Sequence, residues 1–340
     1  MRAYIKSTSA ICAQQTFDKS EYLAEYIAPE GQYLKATEPP YRGIIDPKQI
    51  RRMSRIIKMS VATAHQALAE AEVQVPEAII VGTGLGCIED TIKFLKDIIE
   101  GEEGILSPTA FIQSTHNTIA GQIALLLQCP NYNFTYANRG HSFENSVIDA
   151  RIQLSEGKDN ILVGAAEEMN LQAFEIMYNM GCTGDRNKND GSALGEGASF
   201  FVLTNEQKEG RPYLQDISVS NHITAEQLEK SLNSFLAKNK VDASDVDLLL
   251  MGSNEFEKDG FYEKIASLFA DNTPQLDFKK ICGEHFTASG FAMHLGTMIL
   301  QDQVSLNNSY LAPQLKRPVR KILIYNHYKA MNHTFMLLSI

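Results

Sequence analysis

The sequence predicts an α/β protein of two related halves, in which helices cover both faces of buried parallel sheets. Three observations carry this reading. Apolar runs such as AIIVGTG (78–84), NILVGAAE (160–167) and VDLLLMGS (246–253) are continuous rather than alternating, the pattern of strands buried on both faces. Helical patterns separate these runs, as in repeated strand–helix–strand units. After Gly210 the theme restarts: AIIVGTG behind one helix is matched by DLLLMGS behind another, and each precedes a helix and then a helix rich in Ala and Gly. A duplicated fold with helices sandwiched between two sheets satisfies all three.

Taken in order, AYIKSTSAICA (3–13) alternates loosely and opens a sheet, and a polar, Pro-containing surface loop follows to EPPYRGIIDPKQ. RRMSRIIKMSVATAHQALAEA places Met53, Ile56, Ile57, Val61, Ala64 and Leu68 near helical spacing; its basic start is expected on solvated surface. AIIVGTGLG reads as a strand running into a tight turn. Its GxGxG spacing lacks the GxGxxG of a dinucleotide site, and Glu89 and Asp90 in the next helix would repel a pyrophosphate, so the glycines serve backbone geometry. Pro108 and Thr109 are expected in a turn. HNTIAGQIALLL is expected as a buried helix, with Gly121 marking close packing within the chain or across a subunit interface. NFTYANRGHSF passes from strand through glycine into a helix ending near Ser155, the shape of a turn that carries a nucleophile. PYLQDISVS, TAEQLEKSLNSFLAKN, GFYEKIASLFA, ASGFAMHLGTMILQ and the last two apolar runs complete the second half as strand, helix, helix, buried helix and two strands.

Composition narrows the function. The 340 residues, 44% of them apolar, suffice for a sizeable core. A formal charge of −10 argues against nonspecific nucleic-acid binding. Five widely spaced cysteines (12, 87, 129, 182, 282) form neither a disulfide framework nor a zinc motif, and no metal or cofactor is indicated. The N-terminal stretch lacks a sustained apolar core, so no signal peptide is expected; with no run long enough for a membrane span, a cytoplasmic setting is the expectation.

RRMSRIIKMSVATAHQALAEA, VGTGLG, SPTAFIQSTHNTIAGQIAL, VGAAEEMN and DGSALGEGASFFVLT stand in an order that resembles the β-ketoacyl-acyl-carrier-protein synthases, the condensing enzymes of fatty-acid and polyketide synthesis. The resemblance covers roughly residues 45 to 340. It implies the thiolase-like fold, five-layered α/β/α/β/α, in a dimer, with an N-terminal half at 1–208 that includes dimerisation elements and a C-terminal half at 209–340. The family's catalytic residues carry over poorly. An ungapped register puts the nucleophilic cysteine on Gly140, and a shift by one reaches Arg139 or His141. The first catalytic histidine falls in MGSNEF, around Asn254. In the family's Lys-x-x-x-Gly-His motif this chain reads Lys279 to Gly283 and then Glu284, with His285 one residue late. Of the closing Gly-Phe-Gly-Gly-x-Asn loop, HYKAMN keeps Asn332.

Decarboxylative condensation needs a thiolate to accept the acyl group and donors to stabilise an enolate. Gly140 removes the first, and Asn254 with Glu284 replace the second. Substitute nucleophiles would be Ser142, beside His141 and within conceivable reach of a cross-half His285–Glu284 pair, or Cys282 near Lys279; the plain alternative makes Cys282 a buried core residue. His141 is expected neutral at a helix start, filling acyl-chain space. Glu167 and Glu168, at a strand end, are expected in a structural or capping role, and Glu196 to satisfy buried turn amides. The resemblance thus implies a partner subunit of the chain-length-factor type, serving an active ketosynthase and an acyl carrier protein in an aryl-polyene-like or related pathway. The rivals are an acyl-transferring or thioester-hydrolysing enzyme with a relocated nucleophile, and a homodimeric acyl- or carrier-binding protein. RRMSRIIK and KRPVRK are the compact basic segments available to an acidic carrier. A Gly140→Cys variant is expected to gain a reactive thiol, although a left-handed glycine there would resist the change.

Overall fold

The computed structural model describes residues 1–25, 27, 32–51, 53–101, 108–181, 183, 193–253, 259–302, 304 and 318–340. Ten strands run through it: β1 (Ala3–Ile11), β2 (Ala78–Gly82), β3 (Tyr132–Tyr136), β4 (Ile161–Glu167), β5 (Gly197–Thr204), β6 (Tyr213–Asn221), β7 (Leu248–Met251), β8 (Gln275–Asp277), β9 (Lys321–Tyr328) and β10 (Asn332–Ser339). The helices are α1 (Pro47–Ile50), α2 (Arg55–Glu70), α3 (Ile88–Glu100), α4 (Pro108–Gln113), α5 (Thr118–Leu126), α6 (Ser142–Ser155), α7 (Leu171–Asn179), α8 (Ala225–Lys238), α9 (Phe261–Ala266), α10 (Lys279–Cys282) and α11 (Ala288–Leu300).

Strand order shows the duplication that periodicity alone left open. The sheet runs β3-β2-β4-β5-β1-β6-β10-β9-β7-β8. Each set of five, numbered from its own first strand, has the order 3-2-4-5-1. In each set the second strand pairs parallel with the third and fourth, and the fifth pairs antiparallel with the fourth and first. Among the described strands, the two sets join where Ala3 and Tyr4 pair with Leu214 and Tyr213.

Five layers follow from which helix face is apolar. α2 and α5 pack on the outer face of the first set, around Ile56, Ile57, Ile79, Val81 and Phe200. α8 and α9 cover the outer face of the second, around Leu232, Phe235, Leu249 and Tyr325. Between the sheets lie α6 and α11, whose Phe143, Val147, Phe291 and Met298 join strand residues of both sets in one core. All thirteen residues of α11 are buried, as its unbroken apolar and small-residue sequence requires.

The element readings hold in type, with five differences, the first being that α5, expected buried, buries only Thr118, Ile119, Ala120 and Ile123 and leaves Leu125 exposed. β1 is no loosely alternating edge: it is the inner strand that joins the two sets, and eight of its nine residues are buried because both faces carry helices. Pro108 opens α4 instead of a turn, since proline suits a first helical position. Gly121 does not mark close packing within the chain, for nothing lies within 4 Å of where its Cβ would be. The basic start of α2 is not wholly solvated: the Arg55 guanidinium pairs with Glu196 and Glu38. Glu196, fully buried, also accepts the amides of Ala36 (2.8 Å) and Met169 (2.9 Å), the role expected of it.

The neighbouring carboxylates do the same work. Glu167 closes the glycine turn by accepting the amides of Gly84 and Leu85, leaving no free amide cradle there for a phosphate. Glu168 accepts Ile56 N at 3.2 Å and Glu89 N at 3.1 Å, so one side chain caps both α2 and α3.

Candidate functional site

The C-terminal ends of β2, β3 and β4 face the loop after α10 and the β9–β10 hairpin, and the residues of interest converge there. β3 leads through Asn138 into a tight turn at Arg139–His141 and then into α6. Left-handed strain in this turn sits on Arg139, at φ 46°, and not on Gly140, contrary to the sequence expectation. Gly140 is required for another reason. A Cβ built on it would lie 2.5 Å from Tyr328 Cβ, closer than real Cβ atoms approach, and a tight 3.1 Å from Asn332 Oδ1. The space a nucleophile would need is held by Tyr328, at the end of β9.

Tyr328 does not stand alone. Its ring lies 4.6 Å from that of Phe286, centre to centre, and Phe286 in turn packs so closely on Gly84 that a Cβ there would meet its Cγ at 2.4 Å. Two rings from the second half thus seat on glycines of two strand–helix turns of the first. Between the rings and the turns no room is left beside residue 140. His141 is buried, and its Nε2 faces the His333 carbonyl at 3.3 Å. Burial pushes its pKa down, so the ring is neutral with the Nε2 proton donated to that carbonyl.

Ser142 is not poised as a nucleophile. Its Oγ accepts Asn138 N at 2.8 Å and donates to Arg139 O at 2.8 Å, stitching the turn to the first residue of α6. Ser142→Ala should therefore cost about 1–2 kcal/mol of stability, read as a lower urea midpoint, and change no chemistry.

Lys279 and Glu284 form a buried ion pair at 2.6 Å, their side chains 1% and 8% exposed, and Lys279 also donates to His327 O at 3.2 Å. Backbone contact places this pair. Gly283 adopts φ 79° and ψ 172°, and Gly195 packs so near that a Cβ on it would meet Cys282 O at 2.0 Å. Gly195 N then bonds Glu284 O, and Glu284 N bonds Ala193 O. Glu284 thus spends its charge on Lys279. His285 turns toward Thr287 Oγ1, 3.4 Å from its Nδ1, and burial followed by the Lys279 charge drives its pKa down to about 3. Cys282 is buried, with its thiol directed at Gly283 O, and desolvation above all pushes its pKa well up. Asn332 donates to Asn221 Oδ1 at 2.8 Å. Asn254 and Cys182 lie outside the described residues.

Three further residues of this end escaped the sequence reading. His327 and His333 are buried on adjacent hairpin strands, their rings 5.3 Å apart. His327 Nδ1 accepts Ala330 N at 3.2 Å, and its Nε2 lies 3.4 Å from Asp259 Oδ2. His333 Nδ1 meets Tyr325 Oη at 2.9 Å, and its pKa falls to about 4, chiefly through burial. Lys329 and Ala330, standing where the family pattern has glycines, take φ of 50° and 51°. Glu144 is buried in α6 and accepts Ser289 Oγ at 2.6 Å. The signal for Tyr328 was present, since it occupies the aromatic position of the family loop; nothing local pointed to the histidine pair.

These buried groups set a pH dependence. Desolvation raises Glu144 and Glu167 to about 7 and Glu168 to about 8, so the folded state holds protons that the unfolded chain loses above its pKa near 4.5. Stability from these groups falls as pH rises from about 4.5 through 8. The depressed histidines act oppositely: neutral when folded and protonated when unfolded below about 6.5, they withdraw stability as pH falls toward 3. The melting temperature should peak near pH 6.5 and drop by roughly 5 °C or more by pH 8.5, with Glu144→Gln flattening the alkaline limb in a calorimetric series.

Comparison with known proteins now bears on this geometry. Residues 28–180 match the family model described as beta-ketoacyl synthase, N-terminal domain. No curated protein matches the sequence. Among solved structures, a beta-ketoacyl synthase from Burkholderia phymatum STM815 superposes with a TM-score of 0.77 at 15% identity, over 100% of this chain and 99% of that one. The ishigamide ketosynthase/chain length factor gives 0.75 at 15%, over 100% and 99%. The ketosynthase ApeO in complex with its chain length factor ApeC, from Xenorhabdus doucetiae, gives 0.74 at 15%, over 100% and 98%. Residues 28–180 thus match a β-ketoacyl-synthase N-terminal domain, and the whole chain has the thiolase-like fold of these ketosynthase structures. Among the described residues no helix is long and apolar enough to cross a membrane.

Proposed function

We propose that this chain is a non-catalytic, ketosynthase-like partner subunit of fatty-acid or polyketide synthesis, aryl-polyene-like pathways included, acting beside an active ketosynthase and its acyl carrier protein in the cytoplasm. One observation carries the reading: the expected nucleophile position is a glycine whose side-chain space is taken by Tyr328, with Asn332 beside it. With Glu284 committed to Lys279, neither the acyl acceptor nor the enolate donors of a condensing site are supplied. The relocated-nucleophile reading gains nothing from Ser142, tied to backbone, or from Cys282, buried and protonated. We take the boundary between halves at residues 208 and 209, in the connection from β5 to β6.

The partner surface on this reading is the edge strand β3, which among the described residues has no strand neighbour on one side. Its Tyr132, Phe134 and Tyr136 rings run in a row, 6.2 and 4.9 Å apart, with Phe134 44% exposed. An uncovered aromatic edge is a template for pairing with a second chain. The exposed flank of α5, with Leu125 70% exposed beside the open Gly121, extends it. Such an edge serves a heterodimer or a homodimer. The test is co-expression with a complete synthase from the same gene neighbourhood. A one-to-one complex that elongates acyl chains, and loses assembly on Phe134→Asp, supports the proposal. A stable homodimer that ignores the synthase favours the binding-protein reading instead.

A further inference from the structure

At the opposite end of the strands from the candidate site, β1 begins, β9 begins and β10 ends around a cleft of about 530 Å³. Eight residues of β9 at about 3.3 Å each separate Arg320, at this cleft, from Tyr328. The cleft is therefore a separate feature, and none of the candidate-site residues lines it.

Four cations line it: Arg2, Lys208, Arg211 and Arg320. Arg2, Lys208 and Arg320 are exposed, and the side chains of Lys208 and Arg320 make no hydrogen bond or ion pair among the described residues. Arg211 is held by Glu206, with Nη1 at 2.9 Å from its carbonyl and 3.0 Å from its carboxylate. Arg2 lies over the Tyr213 ring at 4.7 Å, and Tyr4 stands 5.3 Å from the same ring. Two exposed carboxylates, Glu209 and Asp302, share the lining. With Arg211 neutralised by Glu206, the three cations Arg2, Lys208 and Arg320 still outnumber these two carboxylates, on a chain whose formal charge is −10.

Uncompensated cations gathered in a concavity concentrate positive potential and draw in anions. Volume decides the kind of anion. The cleft lies within the range of small-molecule sites, whereas an acidic helix of a protein partner would meet a broad convex or flat patch. The guanidinium forks and the aromatic floor suit a phosphate ester with a flat group. We propose that this cleft binds a multiply charged phosphate-bearing small molecule of nucleotide size, with Arg2 and Arg320 as its principal contacts. The inference does not depend on the proposed partner role.

Calorimetric titration of the intact chain with ADP and with inorganic pyrophosphate, at 50 and 300 mM NaCl, tests it. ADP should bind and weaken several-fold at the higher salt. Arg2→Glu/Arg320→Glu should lose at least tenfold in affinity at an unchanged melting temperature, while Lys230→Glu, on the surface of α8, should leave it intact. Pyrophosphate binding that is lost in the same double variant supports the phosphate contacts. No heat with either ligand at millimolar concentration, or binding indifferent to the double variant, overturns the proposal. So does a ten-residue polyglutamate peptide that binds more tightly than ADP, which would make the surface a protein-docking site.

Discussion

Gly140→Cys alone is expected to fold poorly and to yield no reactive thiol, whereas Gly140→Cys/Tyr328→Gly should recover stability and be alkylated at residue 140. The conflict is between Cβ and Cβ, 2.5 Å apart, so trimming the Tyr328 ring to alanine keeps the clash and only glycine removes it. Overpacking of this kind costs about 1–3 kcal/mol. Since Gly140 is not left-handed, a cysteine there is otherwise unstrained. Once the room exists, the thiol sits at the start of the fourteen-residue α6, where the helix end favours its anion. Among the described residues the native background is low: Cys12, Cys87, Cys129 and Cys282 are buried, and burial lifts Cys12 to about 11 and Cys87 and Cys282 upward as well, while peptide mapping separates any label on Cys182. Peptide-mapped iodoacetamide labelling with a melting curve reads both effects. A well-folded single variant that labels fast would show that Tyr328 does not occupy the position.

The second large effect concerns Lys279. Lys279→Met leaves the Glu284 carboxylate buried without its cation and takes the donor from His327 O, so a loss of about 3–5 kcal/mol is expected, roughly 5–10 °C in melting temperature. Lys279→Met/Glu284→Gln should regain most of it, because removing both charges removes the uncompensated one. Differential scanning calorimetry of the two variants decides. Equal losses in both would mean that the lysine acts through packing and not through Glu284.

Much of this architecture is legible in the chain. Continuous apolar runs ending in glycine placed β2, β4 and β7, and small-residue patterns placed α11, because burial on both faces leaves little alternative composition. Short elements were not legible. β8 is three residues and α4 six, too few for a period to show. At the site, motif positions single out Gly140 and Glu284 as the proposed degenerate positions, and the setting of Glu196 in LGEGA pointed to its amide-binding role. What fills the vacated space could not be read. The Phe286–Tyr328 pair joins two loops far apart in sequence, and its meaning appears only once Gly84 and Gly140 are seen beneath it. The same holds for the His327–His333 pair, created by the hairpin register.

The central claim is that this fold persists here without its chemistry. Product formation from acyl- and malonyl-carrier substrates, measured with the purified chain alone, tests it most directly. The structure predicts no turnover above the uncatalysed background, because Gly140 offers no acceptor and Glu284 is bound to Lys279. Turnover that persists in the Cys282→Ala/Ser142→Ala variant would contradict it.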